Sequence, residues 1–181
     1  KRRLLFSWVL VLVLFVNIVS PGAWAAPVDV TNLLQPITGT VNGIAVADGA
    51  EIELVDGEDL IFHFAFPQVP TESFPAAGGA FISQNDTAQI KIGKGVSGTI
   101  PSAPIPLDAG GIIVGHATIA YEAGEAVANI VFDWTSEVEE LINGDGGVQI
   151  INAGFQANLE YNASGAAEEG GKKYLAILDK K

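Results

Sequence analysis

The chain has 181 residues, carries 21 Asp and Glu against nine Lys and Arg for a net charge of −12, and contains neither Cys nor Met. That balance excludes the basic patches that nucleic acid and anionic membrane surfaces require, and the lack of Cys excludes a disulfide framework. The length suffices for one domain held together by packing alone.

The chain opens Lys1-Arg2-Arg3 and then runs apolar from Leu4 to Val19, interrupted only by Ser7 and Asn17. Pro21-Gly22 and the small-x-small exit Ala23-Trp24-Ala25 follow. A cationic start, a short apolar run and such an exit predict a secretory signal peptide over residues 1–25, cleaved after Ala25. A membrane anchor would want about 20 apolar residues. Removing 25 of the 181 residues leaves 156, and removing Lys1, Arg2 and Arg3 leaves six Lys and no Arg against 21 acids, a net charge of −15. The expected location is therefore outside the cell, with no membrane insertion once the leader is gone.

In the predicted domain, residues 26–181, Val28, Val30 and Leu33-Leu34 supply a first apolar edge. Ile37–Val41 and Ile44–Val46 flank Asn42-Gly43, a two-residue hairpin signal. Asp48-Gly49 turns into Glu51–Val55, where Ile52 and Leu54 alternate with acids, and Asp56-Gly57 turns again. Glu58–Phe66 puts Leu60, Phe62, Phe64 and Phe66 on one face. Pro67–Gly79 reads as a loop. Thr87–Ile92 alternates with Ala88, Ile90 and Ile92 inside, and Gly93–Ala109 reads as a long irregular connection with a short extended piece near Val96–Ile100.

Gly111–Tyr121 and Ala126–Trp134 predict a hairpin, with Ile130, Phe132 and Trp134 on one side. Ser136–Ile142 is the one predicted helix, with Ser136 and Glu139 as a capping box and Asn143-Gly144 as its stop. Ile151–Tyr161 alternates most strongly, with Ile151, Ala153, Phe155, Ala157, Leu159 and Tyr161 on its apolar face. It and Glu58–Phe66 are the expected facing walls of the core. Asn162–Gly171 reads as a loop, and Lys172–Asp179 as a last strand with Tyr174, Ala176 and Leu178 together. Some eight strands between turn signals predict an all-β sandwich with one short connecting helix.

No reactive centre assembles from these residues. His63 and His116 lie in strands, with no Cys or second His at ligand spacing for zinc. Asp56, Glu58 and Asp59 form an acidic group without a motif. Asn143-Gly144-Asp145-Gly146-Gly147 lacks the alternating carboxylates and closing Glu of a calcium loop. There is no G-x-S-x-G elbow. Paired glycosidase carboxylates stay open, since their pairing is spatial. An autocatalytic Lys–Asn isopeptide bond needs an inward Lys, whereas Lys91 falls on a polar face and Lys94 follows a Gly. Asn85-Asp86-Thr87 and Asn162-Ala163-Ser164 fit the N-glycosylation pattern, which matters only in a eukaryote.

Several phrases carry a likeness: Asp29-Val30-Thr31-Asn32-Leu33-Leu34, Asp56-Gly57-Glu58-Asp59-Leu60-Ile61-Phe62, Gly115-His116-Ala117-Thr118 leading to Ile130-Val131-Phe132-Asp133, Phe155–Tyr161 and Leu175–Lys180. In their order the chain resembles the first domain of Gram-positive cell-wall-anchored adhesins, the collagen- and fibrinogen-binding surface proteins with Cna-type modules and related pilin-like proteins. The resemblance implies an immunoglobulin-like β-sandwich, the first module of a longer surface protein, that clamps a host matrix protein with a following sandwich or serves as a spacer. It carries over no ligand residue. No second sandwich, Cna B-type repeat or LPxTG sorting signal follows the last strand, which leaves a fragment and a freely secreted protein as open readings.

The expected function is thus a non-enzymatic cell-surface adhesion domain, with no catalytic, cofactor or metal residues and a partner of the collagen or fibrinogen class. The alternative is a secreted carbohydrate-binding module. It would need a row of exposed aromatics, yet Tyr121, Tyr161 and Tyr174 are all expected to face inward.

Overall fold

The computed structural model describes residues 26–34, 38–46, 51–57, 59–94, 96–97, 101–122, 125–161, 167–169 and 172–176. The predicted leader, the Asp48-Gly49 turn, Glu58, Asn162-Ala163-Ser164 and Leu178 lie outside them. No helix among the described residues is long and apolar enough to cross a membrane.

Among the described residues the strands are β1 (Thr38–Val41), β2 (Ile44–Val46), β3 (Glu51–Glu53), β4 (Asp59–Val69), β5 (Thr87–Lys94), β6 (Val96–Ser97), β7 (Ile105–Asp108), β8 (Ile113–Glu122), β9 (Glu125–Val131), β10 (Ile150–Tyr161), β11 (Ala167–Glu169) and β12 (Lys172–Ala176), with one α-helix, α1 (Ser136–Asn143), and a 3-10 turn at Thr31–Leu33. The fold is mostly β. Its main sheet is antiparallel in the order β2-β1-β4-β10-β7-β8-β9-β5, with β6 also on β10, and it curls into a half-barrel around one apolar core. A smaller sheet, β11-β12-β3, stands beside it.

This arrangement corrects one expectation. β4 and β10 are not walls facing each other across a core. They are hydrogen-bonded neighbours, registered from Ile150 opposite Val69 to Glu160 opposite Asp59. Alternation tells which side of a strand is apolar, but not whether its apolar partner lies beside it or across from it. The described strands accordingly show one curled sheet rather than two facing layers.

The inner face is as the alternation predicts. Leu60, Phe62, Phe64 and Phe66 are buried alongside Leu159, Ala157, Phe155 and Ala153. Small residues opposite Phe62 and Phe66 leave room for the rings, while Phe64 stacks on Phe155 with centroids 4.9 Å apart. Such a pair contributes about 0.5–1.5 kcal/mol beyond its area.

The alternation breaks at one point. Asn152 has φ 53°, and on the two strands burial resumes out of phase at Ile150 and Val69. Ile151, expected inside, is 53% exposed. The left-handed residue rotates the chain by one position, and Pro67, the residue that falls opposite it, has no N–H to give to a ladder. β4 therefore runs through Pro67 to Val69, where a loop was expected.

Other local signals hold. Asn42 and Gly43 both have positive φ, as a tight hairpin turn demands. The Asn42 side chain also continues the ladder, accepting from Ile61 N–H at 2.8 Å and donating to Asp59 C=O at 3.2 Å. The β8–β9 hairpin forms with Glu122 opposite Glu125. Two strands were missed: β7, whose short Ile105/Leu107 alternation lies inside a Gly- and Pro-rich connection, and β11, inside the acidic small-residue loop.

The helix begins one residue earlier than its cap signal suggested. Thr135, not Ser136, is the N-cap, and its hydroxyl accepts from Val138 N–H at 3.4 Å. Glu139 is thereby freed from a capping box and instead accepts from the Trp134 indole N–H and from Asn143 Nδ2. The hydrogen bonds of Glu137 to backbone and to Thr135 at this helix start hold its carboxyl below the usual range. Gly144 ends the helix with φ −71°, so left-handed backbone is not its reason. A Cβ there would stand 2.3 Å from Glu140 C=O.

The segment before β1 straps the edge of β5. Asp29 bridges Thr87 in parallel, with Val30 N–H on Thr87 C=O at 2.8 Å and Thr87 N–H on Val28 C=O at 2.9 Å. The buried Asp86 carboxylate accepts from Val28 N–H at 3.1 Å and Ser83 N–H at 2.8 Å. Thr31 Oγ1 donates to Asp29 and accepts from Gln89 N–H at 2.9 Å. Val30 and Leu34 are buried behind these bonds. An open sheet edge is thus partly covered.

Candidate functional site

The β4–β10 ladder that buries a phenylalanine row on one side sets out a polar row on the other. Outward from β4 stand Asp59, Ile61, His63 and Ala65, and opposite them on β10 stand Glu160, Asn158, Gln156 and Gly154. Thr40 of β1 extends the row beside His63. Two open depressions lie along this face, of about 650 and 460 Å³, and both are lined by Ile105 and Gln156. Pro101 and Ile105 flank the first, and Ile105, Pro106 and Asp108 flank the second. Together they form a trough along β10 from Asn152 to Glu160.

Its side chains carry acceptors and amides. Gln156 Nε2 donates to Asn158 Oδ1 at 3.0 Å. Asp108 sits opposite Gly154 and accepts from Gly111 N–H at 2.9 Å. Asp59 and Glu160 are exposed and directly opposite each other. Like charges in that position repel at a cost of some tenths of a kcal/mol. Glu160→Lys is therefore expected to raise stability by about 0.2–1 kcal/mol. The gain would be read as a higher Tm at low salt that shrinks as salt is added. A fall in Tm at low salt would mean the two carboxylates do not sense each other.

A third depression, of about 780 Å³, lies between the N-terminal strap and Gly79–Asp86. Val28, Leu33 and Phe81 give it an apolar lining, with Phe81 and Val28 partly in solvent.

The candidates read from the sequence stay dispersed. His63 sits in the trough. His116 is on β8, its Nδ1 2.7 Å from Asp133 Oδ1 on the exposed face, an ion pair when the ring is protonated. Nothing in the geometry gives this dyad a nucleophile. Asp56 and Asp59 fall at a turn and at a strand start. Asn143 is the last residue of α1 and Asp145 follows it; Asn143 Oδ1 accepts from Glu72 N–H at 3.0 Å and so ties the helix end to another loop. Among the described residues no group of three His, Cys, Asp or Glu is placed to hold a metal ion. Lys91 meets Glu125 at 3.0 Å as an ion pair. Asn85, of the first sequon, lies in a turn with φ 70° and donates its N–H to Phe132 C=O.

The aromatics divide differently from the expectation. Tyr161 is buried, and its hydroxyl has no hydrogen-bond partner among the described residues. Desolvation by burial, followed by the nearby Asp56 charge, raises its pKa above the ordinary value. Tyr121, expected inside, is 37% exposed and pairs with Ala126 beside the turn of the β8–β9 hairpin. Trp134 is buried on Phe132. Tyr174 is on β12, with its side chain outside the described residues.

The trough was missed as a site because each of its residues looks like ordinary solvent-facing alternation. The one available signal was the concentration of amides and acids on the even positions of Ile151–Tyr161. No family model, curated protein or solved structure matches the chain.

Proposed function

We propose that the chain is an exported, non-enzymatic adhesion domain that binds a matrix protein of the collagen or fibrinogen class, displayed at a bacterial surface when a sorting signal accompanies it. The trough on the outer face of β4 and β10 carries this reading. Side chains spaced by a ten-pair ladder are already in place before a partner arrives, so little ordering entropy opposes binding. The short phrases that resemble adhesin first domains support it from the sequence. In this reading the curled sheet and β11-β12-β3 belong to an immunoglobulin-like sandwich, and a following sandwich of the same polypeptide is a natural neighbour.

A secreted carbohydrate-binding module is the second reading, favoured by Gln156, Asn158 and His63 on one face. The lack of an exposed stacking ring in the trough weighs against it, since the aromatics among its described lining, Phe64 and Phe155, are buried inner-face residues. Solid-phase binding of the full chain to immobilised collagen, fibrinogen and polysaccharides separates the two. Saturable retention on a matrix protein is the expected result. Retention on a glycan with none on matrix proteins would overturn the adhesion reading.

A further inference from the structure

We infer that the trough along β4 and β10 is a seat for an extended, cationic polypeptide segment, one with two Lys or Arg side chains about six residues apart. The inference rests on the adhesion reading and names the contact surface and partner chemistry for it.

Charge and spacing carry the argument. At one end of the trough Asp59 and Glu160 oppose each other in solvent, so a cation seated between them relieves a repulsion that the free protein bears. At the other end Asp108 stands opposite Gly154 on the same face. Gly154 and Glu160 are six residues apart on one strand, which at about 3.3 Å per residue puts the two acidic ends about 20 Å apart. An extended partner running along β10 has the same rise. Its side chains at positions one and seven would then point the same way and reach both ends.

Between the ends the lining suits a polypeptide. Gln156 and Asn158 offer amide donors and acceptors to a main chain, and Ile61, 42% exposed, offers an apolar contact. Among the described lining residues of both depressions there is no Lys or Arg to repel the partner. The chain's net charge of −12 adds long-range attraction, which speeds encounter but does not choose the site. Site choice comes from Asp59 and Glu160, whose charges act at contact distance.

Fluorescence anisotropy with the full chain tests this. The probe is a labelled, end-capped eight-residue peptide, Lys-Thr-Val-Thr-Val-Thr-Lys-Thr, and its counterpart has both Lys replaced by Glu. Saturable binding of the Lys peptide is expected, at least tenfold tighter than the Glu peptide and weaker as salt rises. Asp59→Asn with Glu160→Gln should weaken it at least tenfold. Glu72→Gln with Glu140→Gln, equal in net charge and away from the trough, should change it less than twofold. Circular dichroism and Tm of both double variants establish that they fold. No binding of the Lys peptide, or equal loss in both double variants, would overturn the proposal. The matrix-protein assay separates the two failures. Matrix binding unchanged in Asp59→Asn/Glu160→Gln removes the trough and leaves adhesion standing. Trough-dependent peptide binding without matrix binding removes the matrix partner and leaves the trough.

Discussion

Truncating Phe62 to Ala is expected to cost about 3–5 kcal/mol, the range for a buried Phe that leaves a cavity behind. Phe62 is 1% exposed, lies parallel to Phe64 at 5.9 Å between centroids, and is flanked by Ala157 on β10 and the buried Val41 on β1. Alanines at 62 and 157 beside Val41 cannot fill the space, and the ladder backbones cannot close on it without giving up hydrogen bonds. Urea unfolding should show the midpoint falling with the slope unchanged. Phe81→Ala is the control. That ring is 40% exposed on a loop, and its loss should stay within about 0.5 kcal/mol. Equal effects at the two positions would mean that the phenylalanine face of β4 is not the core.

Replacing Asp86 by Ala is the second large effect, expected at about 2–4 kcal/mol, the sum for two donors left without their acceptor. The carboxylate is 7% exposed and receives N–H groups from two segments far apart in sequence, Val28 and Ser83. Asp86→Asn keeps one acceptor oxygen and should recover part of the loss. The site of the damage distinguishes this from a general loosening. Amide exchange at Val28, Val30 and Ser83 should accelerate first, with β4 and β10 protected until global unfolding. Uniform acceleration across the sheet would refute the role of Asp86 as the clasp of the strap.

Asp86 was not legible as a clasp. In the sequence it is the middle of a sequon and the residue before a strand, and its use depends on Val28, 58 residues away. The cap of α1 was nearly legible, because Thr135 and Ser136 are both good caps. The choice between them was made by Trp134, whose burial aims its indole N–H at Glu139 and takes that carboxylate out of a capping box. Ile151 failed for a local reason with a distant cause. Asparagine tolerates the left-handed region, but only its placement across from Pro67 gave that backbone a use.

The residues alone determined which segments are extended and which side of each strand is oily, because side-chain direction alternates from one residue to the next and hydrophobic burial follows it. They also determined the Asn42-Gly43 turn and the existence of one short helix. Tertiary structure alone decided that β4 and β10 lie side by side, that the described strands of the main sheet curl into a half-barrel, and that Asp59 stands opposite Glu160. Pairing joins residues about 100 positions apart, and its register depends on how every intervening loop closes, which no local pattern records.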